Sequence, residues 1–357
     1  MPRLFIFSLL LVTVLSLQLD LSSISVKAAL KGIIDDIKID DFNKFAKKFK
    51  KTYNSLELLK EKAKTWKENM DFIEKINNEK RGYEVGENFF TDLDDNERSK
   101  YLMDAKNLDD ANQPNHPILR RAKRGAEVQY VGEFVDWRGP FMPAIRDQGA
   151  CGSCYAFAAI NAIEVQWNSL GNPFSEFSEQ FDIDCNPSTY SKGCDGGFDW
   201  IVMNYAYQNG SVPRAAYPYT GVEGTCKNDT GTCKNDTERL NIVAAWYTLR
   251  SVADAEYYVF HKGPVSFGFY VEPSFLSYKS GIYNPPIGNC YKYNNIGGHA
   301  MTIVGFGSDK GIPYWIVRNQ WGDDFGEAGY IRMRRGVDVC NMETRGINLP
   351  WVHGQTD

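Results

Sequence analysis

Gln148-Gly149-Ala150-Cys151-Gly152-Ser153-Cys154-Tyr155-Ala156-Phe157 carries a C-x-x-C pair, and such a pair has three readings. A redox dithiol wants a preceding strand and a thioredoxin-like βαβ setting, and neither is evident before Gln148. A zinc site wants a second close pair, but Cys185/Cys194 and Cys226/Cys233 are spaced too widely for the usual knuckle. The third reading is a structural Cys151 beside a nucleophilic Cys154. Residues 154–169 read as a helix, so Cys154 would open it, where the helix dipole stabilises a thiolate.

A thiolate nucleophile needs a proton partner. Of the four histidines, His116 lies in a polar linker, His261 ends a surface-type helix and His353 is in the tail. His299 stands in Gly297-Gly298-His299-Ala300-Met301-Thr302-Ile303-Val304-Gly305, at the mouth of an apolar strand. Asn319, in Trp315-Ile316-Val317-Arg318-Asn319-Gln320-Trp321-Gly322, can accept from the second imidazole nitrogen and fix the tautomer. Trp321 can cover that bond and exclude water. Gln148 can offer a side-chain N–H to an oxyanion beside the backbone N–H of Cys154. The stretch around Cys154 resembles the C-G-[SA]-C-[WY] signature of the papain-like cysteine proteases. His299 follows Cys154 by 145 residues, within the separation that goes with that signature.

The chain around these motifs has 357 residues, a length that suits two or three domains, or one domain with extras. At 43% apolar and 24% charged residues, collagen-like, low-complexity and disordered classes are excluded over most of the length. Residues 1–124 hold 23 Lys+Arg against 20 Asp+Glu, net +3, while residues 125–357 hold 17 against 25, net −8. An acidic C-terminal part argues against nucleic acid as a partner. All eight cysteines lie between Cys151 and Cys340, so two regions under different constraints have been joined.

Arg3 followed by the uncharged run Leu4 to Leu17 fits a signal peptide over residues 1–28, leaving at Val26-Lys27-Ala28; an N-terminal membrane anchor is the alternative. No later segment reaches the roughly 18 uninterrupted apolar residues of a membrane span, so no membrane is expected for the mature form. Phe42, Phe45, Phe49 and Tyr53, then Leu59, Trp66, Ile73 and Ile76, recur at helical spacing and predict helices over 38–51 and 55–80. Residues 104–124 read as a linker ending in Arg121-Ala122-Lys123-Arg124, either a solvated charge run or a convertase-type cleavage site. The boundaries expected are thus 1–28, 29–124 and 125–357. Beyond 125, helices over 198–209 and 252–262 and strands over 265–271, 300–305, 314–318 and 330–333 suggest an α+β protein with segregated halves.

The resemblance to papain-like cysteine proteases extends to a whole preproenzyme. Val135-Asp136-Trp137-Arg138, Ser178-Glu179-Gln180, Gly193-Cys194-Asp195-Gly196-Gly197, Gly263-Pro264-Val265-Ser266, Ser280-Gly281-Ile282-Tyr283 and Gly329-Tyr330-Ile331-Arg332-Met333 follow in the family's order. The prosegment is similar to the family's inhibitory propeptide. Its interrupted helix motif falls on Leu58, Lys62, Trp66, Asn69, Ile73 and Asn77, with Leu58 as the departure, and G-x-N-x-F-x-D is intact as Gly86, Asn88, Phe90 and Asp92. The resemblance implies a papain-like two-lobed α+β fold, a helical lobe plus a β-barrel-like lobe, behind an α-helical inhibitory propeptide. It implies a zymogen of a cysteine endopeptidase, with catalytic Cys154, His299, Asn319 and Gln148 and no cofactor or metal. Protein or peptide substrates, its own propeptide as inhibitor and cystatin-type inhibitors are the partners implied, for a monomer of the secretory pathway, lysosomal or extracellular. Acid-promoted release of the prosegment is also expected, because protonating interface carboxylates loosens a basic inhibitor from an acidic enzyme. A non-catalytic binding or storage protein on the same scaffold is the rival reading.

Several positions depart from the family pattern. Tyr155 replaces the commoner Trp, Gln320 the usual Ser, and Gly298 the commoner Asp or Asn. By motif offset, the substrate side is lined by Gly196, Gly197, Phe198, Asp199, Gly268, Gly298 and Trp321, with Arg345 as the floor of the specificity pocket. Asp199 and Arg345 could pair in a narrow polar pocket, Arg345 could receive a substrate carboxylate, or it could face solvent. The family pattern implies disulfides Cys151–Cys194, Cys290–Cys340 and Cys185 with Cys226 or Cys233. The spare cysteine comes from a seven-residue tandem repeat, Thr225-Cys226-Lys227-Asn228-Asp229-Thr230 and Thr232-Cys233-Lys234-Asn235-Asp236-Thr237. Asn209, Asn228 and Asn235 are glycosylation sequons.

Overall fold

Hydrophobic spacing builds the N-terminal helices. In the computed structural model, which describes residues 28–33, 36–108, 117–118, 132–227, 239–290 and 295–356, α1 spans Asp36–Lys48 and α2 Leu56–Asn78. The run 4–17, the basic cluster at 120–124, Cys233, Asn228 and Asn235 lie outside the described residues. The chain divides into two units, one ending at Met70 and the other beginning at Asp71. In the first, Phe42, Phe45, Tyr53, Leu59 and Trp66 are buried together, with ring centroids of Phe42 and Trp66 5.6 Å apart. Such pairs add to the burial of each ring. Leu58, where the interrupted motif departs, packs against this cluster as one more apolar side chain.

The second unit opens with the end of α2. Asn77 clamps strand β1 (Tyr83–Val85) by two bonds to Val85, donating to its carbonyl at 2.9 Å and accepting from its N–H at 3.0 Å. A capping box between Asp94 and Glu97 starts the short α3 (Asp95–Ser99). After β2 (Val135–Asp136) come α4 (Cys154–Ser169), α5 (Glu179–Cys185) and α6 (Asp199–Asn209), the helical half. Nearly every residue of α4 is buried, so it is a core helix rather than an amphipathic one. The β half comprises β3 (Val243–Leu249), β4 (Val265–Tyr270), β5 (Tyr278–Tyr283), β6 (Gly298–Asp309), β7 (Ile312–Arg318), β8 (Tyr330–Arg334) and β9 (Ile347–Val352), with α7 (Val252–His261) after β3. The order is β1-β5-β8-β7-β6-β4-β9-β3, with β2 added to β6. All pairs are antiparallel except β5 with β8.

One boundary matters for the site. The sequence places the start of β6 at Ala300, whereas the strand begins at Gly298 and pairs His299 with Phe269 of β4. Two glycines precede the histidine and carry no hydrophobic signal, so the strand's first turnless residues are silent in the sequence. Thr302 of β6 donates to the Ala158 carbonyl of α4 at 3.0 Å, fixing the histidine strand against the cysteine helix. Disulfides join Cys151 to Cys194, Cys185 to Cys226 and Cys290 to Cys340. Of the three sequons only Asn209 is described. It is half-buried, its amide donates to the Tyr205 carbonyl, and Ser211 of the sequon is buried. No helix among the described residues is long and apolar enough to cross a membrane.

Candidate active site

Four chain segments converge at the N-terminus of α4. The first is the loop before the helix. Gly152 donates to the Cys194 carbonyl at 2.8 Å, and a Cβ at Gly152 would stand 2.6 Å from that oxygen, so only glycine lets the loop pass. Cys154 follows as the first helical residue, fully buried. The second segment is β6, carrying His299. The third is the turn after β7, where Asn319 is held by a backbone bond to the Gly329 carbonyl at 3.0 Å. The fourth is the stretch 146–148, paired with 320–322 through Gln148 N–H to Gln320 O (3.0 Å) and Gly322 N–H to Arg146 O (3.1 Å).

His299 Nε2 lies 2.9 Å from Asn319 Oδ1, an arrangement that needs the proton on Nε2 and leaves Nδ1 as the ring's free nitrogen. Nδ1 is buried without a hydrogen-bond partner. Trp321 stacks on the ring at 4.4 Å, while Phe269 and Phe275 close its other sides at 6.1 and 6.0 Å. Gln148 Nε2 donates to the Cys151 carbonyl (2.7 Å) and to the Tyr101 carbonyl (3.1 Å). Burial dominates the protonation of the pair. It pushes the Cys154 thiol up to about 12, against hydrogen bonding from the Ala300 and Tyr155 backbones. It pushes the His299 imidazole down to about 3, against the Asn319 bond. The site as it stands holds a neutral thiol and a neutral imidazole.

A pocket is lined by Gly197, Phe198, Asp199, Trp200, Gly268, Ala300, Arg345, Gly346 and Asn348, together with Met103 and Leu108. Tyr155 lies under Gly197, where a Cβ would stand 2.8 Å from its ring, and its hydroxyl bonds Ser191 Oγ and the Gly193 carbonyl. Asp199 and Arg345 share the pocket but do not pair, which corrects the first of the three expectations for them. The Asp199 carboxylate accepts from Ser266 Oγ and from Asn348 Nδ2 (3.0 Å), and burial holds it above the usual carboxylate range. Arg345 is half-buried, donates to the Tyr270 hydroxyl at 2.9 Å and lies over that ring, so it does not simply face solvent.

A cysteine at a helix start, a histidine oriented by an asparagine and an amide donor beside them can be compared with known proteins. Residues 131–348 match the model of the papain family cysteine protease, and residues 42–97 match that of the cathepsin propeptide inhibitor domain. The chain belongs to the papain family of cysteine proteases. It is 32% identical over 307 residues to thiol protease aleurain of Arabidopsis thaliana, covering 85% of this chain and 82% of the relative. A cathepsin L-like proteinase of Fasciola hepatica is 32% identical over 324 residues, covering 88% and 93%. Among solved structures, digestive procathepsin L 3 of the Tenebrio molitor larval midgut aligns with a TM-score of 0.74 at 26% identity, covering 88% of this chain and 99% of that one. The recombinant stem bromelain precursor aligns at 0.75 and 27%, covering 89% and 100%.

This papain-family protein is thus a cysteine endopeptidase made as a zymogen with an inhibitory propeptide. The propeptide docks through β1 on β5 and through Asn88, whose Nδ2 donates to the Leu276 carbonyl at 2.6 Å. Its Phe90 stands edge-on to Trp321 at 4.9 Å. Met103 then pairs with Gly298 by two backbone bonds of 2.8 Å, and a Cβ on Gly298 would stand 2.6 Å from the Leu108 side chain, against 3.2 Å for one on Gly268. Gly298, a departure from the family pattern, is the residue that admits Leu108. The disulfides and the aleurain- and cathepsin-type relatives fit the secretory pathway, with a vacuolar, lysosomal or extracellular destination. Sequence reasoning missed Ser266, Tyr270 and Asn348, which satisfy Asp199 and Arg345. Each is a common residue on a strand distant in sequence, so no local pattern marks it.

Proposed function

We propose that Cys154, as thiolate, attacks the scissile carbonyl of a polypeptide while His299, as imidazolium, gives its Nδ1 proton to the leaving amine. The products of this first step are a thioester on Cys154 and a free amine. Water then adds to the thioester with His299 taking its proton, and the acid leaves as the thiol is restored. Asn319 holds the ring, Trp321 shields that bond, and Gln148 Nε2 with the Cys154 N–H binds the oxyanion. The observation that carries this reading is the 3.1 Å bond from Gln148 Nε2 to the Tyr101 carbonyl: the donor already holds a peptide oxygen of the propeptide. Gln148→Ala in the mature enzyme is expected to lower kcat by about 10²-fold or more, the usual loss for one oxyanion donor, with KM little changed. Steady-state kinetics, with an epoxide label on Cys154 to count sites, checks this. A kcat within threefold of wild type would remove Gln148 from the role.

The pocket takes an aliphatic side chain at the second substrate position. Met103 and Leu108 line it, Asp199 is already held by Ser266 and Asn348, and Arg345 would have to leave Tyr270 to reach a substrate carboxylate. A library varied at that position is expected to favour Leu or Met over Asp or Glu by at least about tenfold, roughly 1.4 kcal/mol. The preference should persist in Arg345→Ala. A preference for acidic residues that vanishes in Arg345→Ala would reverse the assignment. The remaining readings rest on sequence: a signal over 1–28, a propeptide over 29–124 cut near Arg124, a monomeric enzyme from 125, cystatin-type inhibitors as partners, acid-promoted release of the prosegment, and glycans at Asn228 and Asn235.

A further inference from the structure

We propose that Gln320 is a positioning residue that, through its side-chain amide, decides how readily His299 holds its second proton. This rests on the catalytic reading of Cys154 and His299 given above. Gln320 is buried and fixed at both ends: its carbonyl accepts from Gln148 N–H at 3.0 Å, and its Nε2 donates to the Ala300 carbonyl at 2.8 Å. A carbonyl can only accept, so this bond sets which way the amide points. The nitrogen so placed is 3.4 Å from His299 Nε2. Asn319 Oδ1 is 2.9 Å from the same ring nitrogen.

An acceptor and a donor therefore compete for one atom. Asn319 is satisfied only when Nε2 carries a proton. The Gln320 N–H is satisfied only when Nε2 is bare. With Asn319 bound, Nε2 keeps its proton in both the neutral and the charged ring. In the thiolate–imidazolium form Nδ1 is protonated too, so the Asn319 bond becomes charge-assisted while Gln320 holds an N–H, the positive end of its amide, toward a cation. Gln320 opposes the charged ring, and Asn319 supports it. The other neighbours do not perform this function. Trp321, Phe269 and Phe275 present apolar rings. Cys154 opens α4, and the Asp199 carboxyl of α6 acts on its thiol. Glu272, ahead of Phe275, is turned to Ser274 and Tyr283, and Arg318 to the Pro143 and Ala144 carbonyls.

The test is the pH profile of kcat/KM for the mature enzyme and for Gln320→Ser and Gln320→Leu. The leucine variant keeps most of the volume and loses the amide, so it serves if the serine variant does not fold. The alkaline limb, where the imidazolium loses its proton, is expected to move up by about half a pH unit or more, a roughly threefold change in the imidazolium-to-imidazole ratio. KM should stay within about twofold of wild type. A purely structural role would lower the plateau or the melting temperature and leave the limb in place. An unmoved or lowered alkaline limb in the variant that folds overturns the proposal. Activity that survives Cys154→Ala would instead overturn the catalytic reading beneath it, so the two failures are separable.

Discussion

Alkylation of Cys154 by iodoacetamide at pH 7 is expected to be at least about 10³-fold slower in the proenzyme than in the mature enzyme. In the zymogen burial lifts the thiol to about 12 and lowers His299 to about 3. At pH 7 the thiolate fraction is then on the order of 10⁻⁵, and the thiolate is the reactive species. Opening the cleft rehydrates both groups, and the α4 N-terminus can then stabilise the anion. The proton leaving Cys154 goes to His299 Nδ1, so this step neither takes up nor releases protons. Unmasking the pair therefore gives no acid dependence of its own. A pH trigger has to come from groups other than this pair. The pH slope separates this account from simple shielding. The proenzyme rate should climb about tenfold per pH unit between 7 and 9, because the thiol titrates above that range. The mature rate should be nearly flat there. Rates mapped to Cys154 by peptide mass decide it, and a slow but pH-independent proenzyme rate would leave steric cover alone as the cause of latency.

The catalytic segments were legible because each is local. The thiol, the start of its helix and Gln148 fall within seven residues, and His299 and Asn319 stand in glycine- and tryptophan-framed stretches. The propeptide was legible for the same reason: Asn77, Asn88 and Phe90 lie in short motifs, and each makes a contact that its type explains. The pocket was not. Asp199 finds its partners on β4 and β9, and Arg345 finds Tyr270 of β4, so the charge pair suggested by two opposite residues was replaced by neutral partners from across the sheet. A buried carboxylate bonded to a hydroxyl and an amide avoids desolvating a second ion. Gln320 was legible as an oddity but its effect was not. That effect depends on a 3.4 Å separation set by the pairing of 320–322 with 146–148.

The first residue of the 146–148 stretch also carries a large stability effect through its side chain. Arg146 is buried and donates to Glu179 at 2.6 Å and to Glu164 at 2.9 Å, with Glu176 at 3.5 Å. Both close carboxylates are fully buried. Glu179 keeps Arg214 at 3.3 Å, and Glu164 accepts from Phe177 N–H at 2.6 Å. Removing the guanidinium leaves buried negative charge with too few partners, which costs about 3–5 kcal/mol. Arg146→Ala, made in the full chain with Cys154→Ala to prevent self-cleavage, is therefore expected to melt about 10 °C lower at pH 8. The sign of the pH effect follows from Glu164. Burial holds its carboxyl above the ordinary range in the folded protein. Such a group favours folding fully below its unfolded pKa of about 4.5, and that contribution fades as pH rises through the folded value. Without Arg146 the folded value rises further, so the deficit should shrink at pH 5, where Glu164 can be neutral, and widen toward pH 8. Calorimetry at the two pH values reads both effects. A loss of only a few degrees, or one equal at pH 5 and pH 8, would mean that water reaches the carboxylates once the guanidinium is gone.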